Sequence, residues 1–195
     1  MNSIDLGRVI STTIDIYKRD WLMHIVATLV FSIVSGFSFG LLNGTLMAGY
    51  FRALKATEQG NAFQLGDMFS SFNDQLGLSL ITGLIATVLV AVGFIFCFVP
   101  GLLLLPMIPL AIGAITLGTE TDGVEAIKRA WEQLKENWLM ALITMIVLSF
   151  LSSLGAILCG VGILLTAPLY LVGMYAMTSQ LYTQADDTTA PAGTE

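Results

Sequence analysis

A chain of 195 residues has the length of one ordinary soluble domain. Its composition excludes that class: 55% of the residues are hydrophobic and 11% charged, with a mean hydropathy of +0.82, where soluble domains carry roughly 25% charge. The formal net charge of −6 implies no cationic partner, because Asp186, Asp187 and Glu195 sit in a polar tail, and nucleic acid is not an expected partner.

In chain order, the first element is an amphipathic helix. Leu6, Val9, Ile10, Thr13, Ile14 and Tyr17 share one face, opposite Asp5, Arg8, Ser11, Asp15 and Lys18. An apolar block from Trp21 to Phe51 follows, broken between Gly36 and Gly44. No signal peptide is read before it, because a polar mixed-charge segment precedes Trp21 and no cleavage site ends a short apolar run. A second amphipathic stretch carries Leu65, Met68, Phe69, Phe72 and Leu76. The block Leu76 to Leu117 comes next, with turn chemistry at Pro100-Gly101. Val124, Ile127, Trp131, Leu134 and Trp138 repeat the amphipathic pattern, with Glu125, Lys128, Arg129 and Glu132 on the wet side. The third block, Trp138 to Tyr182, breaks at Gly160-Val161-Gly162. Asn61 with Gln64, and Asp122 with Glu125, have the spacing of capping boxes at the second and third amphipathic starts.

Each block is too long for one crossing, which takes about 20 residues. The expected fold is therefore all-α: a polytopic membrane protein with six transmembrane helices arranged as three repeated hairpins, at about 21–57, 76–118 and 138–183. Each hairpin is preceded by an amphipathic interfacial helix, its apolar face in the headgroup layer. Residues 1–184 form a single transmembrane domain, and 185–195 a disordered cytoplasmic tail. The first block is short for two crossings, so its helices extend to Tyr17 and Ala56 or span in part.

The blocks read as copies. Lys18-Arg19-Asp20-Trp21-Leu22-Met23 returns as Lys135-Glu136-Asn137-Trp138-Leu139-Met140, an offset of 117, and the register continues through Ser35/Ser152. Leu78 to Thr82 matches Met140 to Thr144 at an offset of 62, continuing to Gly93/Gly155 and Cys97/Cys159.

Of the eight basic residues, Arg8, Lys18, Arg19, Lys128, Arg129 and Lys135 lie outside the hairpins, Arg52 and Lys55 lie near the end of the first, and none lies in a hairpin turn. Lys and Arg near membrane ends stay cytoplasmic, which predicts both termini and both long connections inside.

Catalytic, cofactor-binding and metal residues are not expected. Gly36-Phe37-Ser38-Phe39-Gly40 has the Gly-x-Ser-x-Gly spacing of a nucleophile elbow but lacks the strand, histidine and acid that the chemistry needs. Gly36, Gly40, Gly44 and Ala48 instead form a small-residue stripe that lets the helices of the first hairpin approach. His24, the only histidine, has no second ligand at metal spacing and reads as an interfacial or packing residue. Trp21, Trp131 and Trp138 read as interface anchors. Pro106, Pro109 and Pro168 read as packing kinks inside spans. No Asp, Glu, Lys or Arg falls mid-span, which argues against ion-coupled transport. Cys97 and Cys159 occupy equivalent outer positions and are expected as free packing residues.

Gly44-Thr45-Leu46-Met47-Ala48-Gly49, then Leu65-Gly66-Asp67-Met68-Phe69-Ser70-Ser71-Phe72, Val99-Pro100-Gly101, and Glu125-Ala126-Ile127 leading to Asn137-Trp138 resemble a known group. It comprises the bacterial uncharacterised integral membrane families related to the membrane domain fused to some glycerophosphodiester phosphodiesterases. The resemblance implies a multi-helix domain of a bacterial inner membrane, without the phosphodiesterase activity. The expected function is a non-enzymatic inner-membrane module organising lipid or partner proteins. The expected partners are the lipid bilayer and a membrane protein or second copy of the chain. The alternative is a small permease or channel for an uncharged or lipid-like solute, with a polar interior at Asn43, Thr45, Thr82, Thr144, Thr166 and Gln180. An intramembrane lipid enzyme lacks an acid, base or metal set.

Overall fold

The computed structural model describes residues 4–38, 40–96, 98–118, 120–154 and 161–189. Among them the chain is helical, 87% of it, with no strand. Asp5 starts α1 (Leu6–Arg19) by accepting the Arg8 N–H at 3.1 Å, and Lys18 and Arg19 close its last turn against the helix dipole. Asp20 leaves the helical region (φ −137°, ψ 42°), and the chain bends by 97° into α2 (Trp21–Phe37). A turn with Gly40 at φ +79°, open to glycine at little cost, leads to α3 (Asn43–Glu58). Next come α4 (Leu65–Asp74) and α5 (Leu76–Phe96), separated by Gln75 at φ −139°, ψ 27°. Short helices α6 (Phe98–Leu104) and α7 (Met107–Thr116) follow. Asp122 caps α8 (Gly123–Ser153) by accepting the Val124 N–H at 2.7 Å. That helix breaks at Asn137 (φ −124°, ψ 17°), and α9 (Val161–Thr189) carries Pro168 in its interior. Asp20, Gln75 and Asn137 are the positions that the offsets of 117 and 62 make equivalent, and all three interrupt the helix with closely similar backbone angles.

The core is built from the later helix of each apolar block. All residues from Gly44 to Phe51 in α3 are buried, as are Pro109 to Thr116 in α7 and Leu171 to Thr178 in α9. Outside them, α2, α5 and the second half of α8 turn Leu29, Ile33, Leu84, Val88, Ile146 and Phe150 outward. An apolar exterior around a more polar central helix is the arrangement that a lipid solvent stabilises. Contacts close in order: α4 lies on α3, α8 on α7 and α1 on α9.

Two helices, α5 and α8, are long and apolar enough to cross a membrane, and a third if the bent pair α1 and α2 counts as one span. Six clear spans are therefore not seen among the described residues. At 1.5 Å per residue, the 17 residues of α2 and 16 of α3 reach about 25 Å, short of a hydrocarbon core of about 30 Å. The later half of the second apolar block is divided at Leu105-Pro106 between α6 and α7.

Several local expectations shift. Pro100 and Gly101 lie inside α6 rather than in a turn, since proline is tolerated in a helix's first turn. Pro106 is the N-cap of α7, not an interior kink. Gln64, not Asn61, precedes α4, and no side chain caps it, so that capping box does not form. The apolar face of α1, with Val9, Thr13 and Ile16 buried, is covered by protein. The Gln180 side-chain oxygen accepts the Asp5 N–H at 3.0 Å, and the Tyr17 hydroxyl donates to the Leu165 carbonyl at 2.7 Å, pinning α1 along α9. Helix α9 continues to Thr189, into the segment expected as tail. Cys97 and Cys159 lie outside the described residues.

Candidate binding cavity

The small-residue stripe divides on folding. Gly36 faces open space and Gly40 makes the turn, whereas Gly44 meets α5 rather than α2. A Cβ on Gly44 would stand 2.8 Å from the Gly83 Cα and 2.7 Å from the Ser79 carbonyl oxygen, so the two backbones touch. Beside this crossing, the Ser79 hydroxyl donates to Thr45 Oγ1 at 3.1 Å. Gly49 lies against the Met68 backbone of α4 and has no room for a side chain.

Above the Gly44–Gly83 contact the helices separate around a cavity of about 440 Å³. Thr28 and Ser32 of α2, Asn43 and Met47 of α3, and Thr87 of α5 form one side. Pro109 of α7, Met145 and Ser152 of α8, and Tyr170 and Met174 of α9 form the other. Every apolar block thus contributes two helices to the wall. Ser32, Asn43 and Thr87 are exposed at the mouth.

Among the described residues the wall is mostly hydrocarbon and contains no charged or imidazole side chain. Its hydroxyls already donate to their own helices: Thr28 to the His24 carbonyl at 2.8 Å, Ser32 to that of Thr28 at 2.9 Å, and Thr87 to that of Gly83 at 2.7 Å. Their lone pairs remain as acceptors, and Asn43 adds a carboxamide. Such a lining suits an apolar molecule with few hydroxyl or N–H donors, and it supplies no acid or base.

One turn further along α3, α7 and α9 the interior closes. Tyr50, Phe51, Leu110, Tyr175 and Tyr182 are fully buried. Phe51 and Tyr175 pack edge to face at 5.5 Å, the Tyr175 hydroxyl donates to Glu58 at 2.7 Å, and that of Tyr182 donates to the Leu110 carbonyl at 2.9 Å. His24 belongs to this floor. Its Nδ1 lies 2.9 Å from the Tyr50 hydroxyl, and its ring packs 4.7 Å from that of Phe63.

Of the six residues expected to line a polar path, only Asn43 reaches the cavity. Thr45 sits in the α3–α5 crossing. Thr82 and Thr144 are buried with hydroxyls that find no partner. Thr166 bonds the Ser152 and Gly162 carbonyls, and Gln180 faces α1. Sequence reading missed Thr28, Ser32, Thr87, Ser152 and Tyr170, because an isolated hydroxyl on an apolar helix carries no mark of which neighbour its face meets. Ser38 is engaged in the turn, its hydroxyl donating to the Ser35 carbonyl at 3.2 Å. Among the described residues no three His, Cys, Asp or Glu side chains gather. Compared with protein families, characterised proteins and solved structures, the chain matches none.

Proposed function

We propose that the chain is a non-enzymatic, multi-pass module of a bacterial inner membrane that holds one uncharged, lipid-like molecule between three repeated hairpins. The cavity carries this reading: six helices enclose an apolar, acceptor-lined space of about 440 Å³, within the usual range for a small-molecule site. The matching breaks at Asp20, Gln75 and Asn137, and the ordered closure of α4 on α3, α8 on α7 and α1 on α9, support the repeat. The resemblance of Gly44 to Gly49 and Leu65 to Phe72 to bacterial inner-membrane domains points the same way. Both termini lie in the cytoplasm by the distribution of the eight basic residues. Tags at either terminus or between Thr57 and Asn61 test this; an external report from a terminus refutes the orientation.

Binding is favoured over permeation because, among the described residues, the buried side chains of Tyr50, Phe51 and Tyr175 close the interior next to the cavity. The ligand test is mass spectrometry of the protein purified from its native membrane in mild detergent. Thr87→Trp places bulk at the mouth and should abolish retention of a co-purifying lipid-like molecule while helix content stays unchanged. Equal retention by both proteins refutes the cavity as the site.

A further inference from the structure

A second concave surface lies outside the bundle, where the end of α6 meets α8 near its break. Leu103 and Leu104 form one wall of a groove of about 450 Å³, and Trp131, Leu134, Lys135 and Trp138 form the other. The spacing of those four residues puts them on one helical face. Leu134 is buried at the bottom, while Trp131 and Trp138 remain 49% and 47% exposed. Lys135 is the only charged side chain in the wall. Glu132 and Glu136 flank it in sequence, but among the described residues it makes no ion pair, in contrast to Arg52 with Asp74 and Arg129 with Glu120.

We propose that this groove is a specific site for one anionic phospholipid. The acyl chain lies along Leu103, Leu104 and the two indoles, and the phosphate meets the Lys135 ammonium. Two indoles flanking a lysine are the chemistry of a membrane interface: amphipathic rings sit at headgroup level, and a lysine stem lies on apolar surface while its charge reaches outward. A trough with one unneutralised cation at its rim and no carboxylate in its wall complements a lipid bearing net negative charge. Its wall holds no carboxylate to pair with the cation of a zwitterionic headgroup. The asymmetry among the amphipathic helices agrees, since α1 buries its stripe on α9 whereas α8 leaves Trp131 and Trp138 of this face half exposed.

The chain has three tryptophans, so the full-length Trp21→Phe variant reports from Trp131 and Trp138 alone. In detergent, brominated phosphatidylglycerol and brominated phosphatidylcholine are titrated against its fluorescence. The anionic lipid should reach half-quenching at about a fivefold lower mole fraction, the effect of one lysine near an anionic headgroup. Adding Lys135→Gln should bring the two curves together, whereas Lys128→Gln, on the wet face, should leave them apart. Helix content and elution are checked for each variant. Equal quenching by both lipids in the Trp21→Phe protein overturns the proposal, as does loss of preference in Lys128→Gln as complete as in Lys135→Gln. Inorganic phosphate in large excess should not restore fluorescence; full restoration would identify a plain anion site and overturn the lipid assignment. The central cavity has no tryptophan in its wall, so this outcome is independent of what that cavity holds.

Discussion

Placing a methyl group at the α3–α5 crossing is the sharpest test of the packing. In Gly44→Ala the new Cβ would stand 2.8 Å from the Gly83 Cα and 2.7 Å from the Ser79 carbonyl oxygen, where carbon contacts settle near 3.5–4.0 Å. Both obstacles are backbone and cannot swing aside, so the helices must separate by roughly 1 Å. A gap of 0.5–1 Å forfeits about a quarter to a half of each contact's dispersion energy, and overpacking of this kind costs about 1–3 kcal/mol. The Ser79–Thr45 hydrogen bond at the same crossing stretches too, a loss of about 0.6 kcal/mol for an interhelical bond in a membrane. Together these give about 2–4 kcal/mol. At roughly 2–4 °C per kcal/mol for a chain of this size, the Tm should fall by about 4–16 °C. The assay is thermal unfolding in one detergent at one scan rate, because membrane proteins commonly unfold irreversibly. Gly83→Ala should behave alike, since its Cβ would stand 2.7 Å from the Gly44 Cα, and the double variant should cost less than the sum because one separation relieves both clashes. Gly36→Ala, with nothing within 4 Å, is the control and should not lose stability. Tm values for Gly44→Ala and Gly83→Ala within 1 °C or so of wild type would refute the crossing.

Asp122→Ala removes the acceptor of the Val124 N–H and should lower stability by about 1 kcal/mol, with Asp122→Asn losing much less; equal losses would show that the cap is not the cause. In a background with Cys97 and Cys159 replaced by serine, Asn43→Cys at the cavity mouth should react readily with a water-soluble maleimide. Thr45→Cys, two residues on in the buried crossing, should react only after denaturation; equal rates would mean the interior is wet. Thiol counting of the wild-type chain under non-reducing denaturation should find two free cysteines, and none would establish a bridge between Cys97 and Cys159.

Much of the helix layout was legible in the sequence. Polar-apolar alternation at the helical period located α1, α4 and the start of α8. The apolar blocks read as starting at Trp21, Leu76 and Trp138 begin one residue after the helix breaks at Asp20, Gln75 and Asn137, and Asp122 announced its own cap. These are local properties: a stripe, a cap or a polar interruption acts within a turn or two of its own residue, so neighbouring letters suffice to read it. Turn positions were less legible, as Pro100-Gly101 shows, because proline suits a helix's first turn as well as a loop.

What only the tertiary structure decided is which helix meets which. Gly44 carries the same small-residue signal whether it faces α2 or Gly83 of α5. Asn43, Thr82 and Thr144 look alike as polar residues on apolar helices, yet one opens into the cavity and two are sealed away from it. Likewise α3, the helix carrying Asn43, Arg52, Lys55 and Glu58, is largely enclosed by its neighbours, while the greasier α2 and α5 stand outside. The reason is physical. In water an apolar face identifies the core, but hydrocarbon is as apolar as leucine, so a helix surface that satisfies lipid satisfies another helix equally well. The choice between them rests on shape, on where two glycines let backbones touch and where hydroxyls hold them apart, and shape exists only once all the helices are in place.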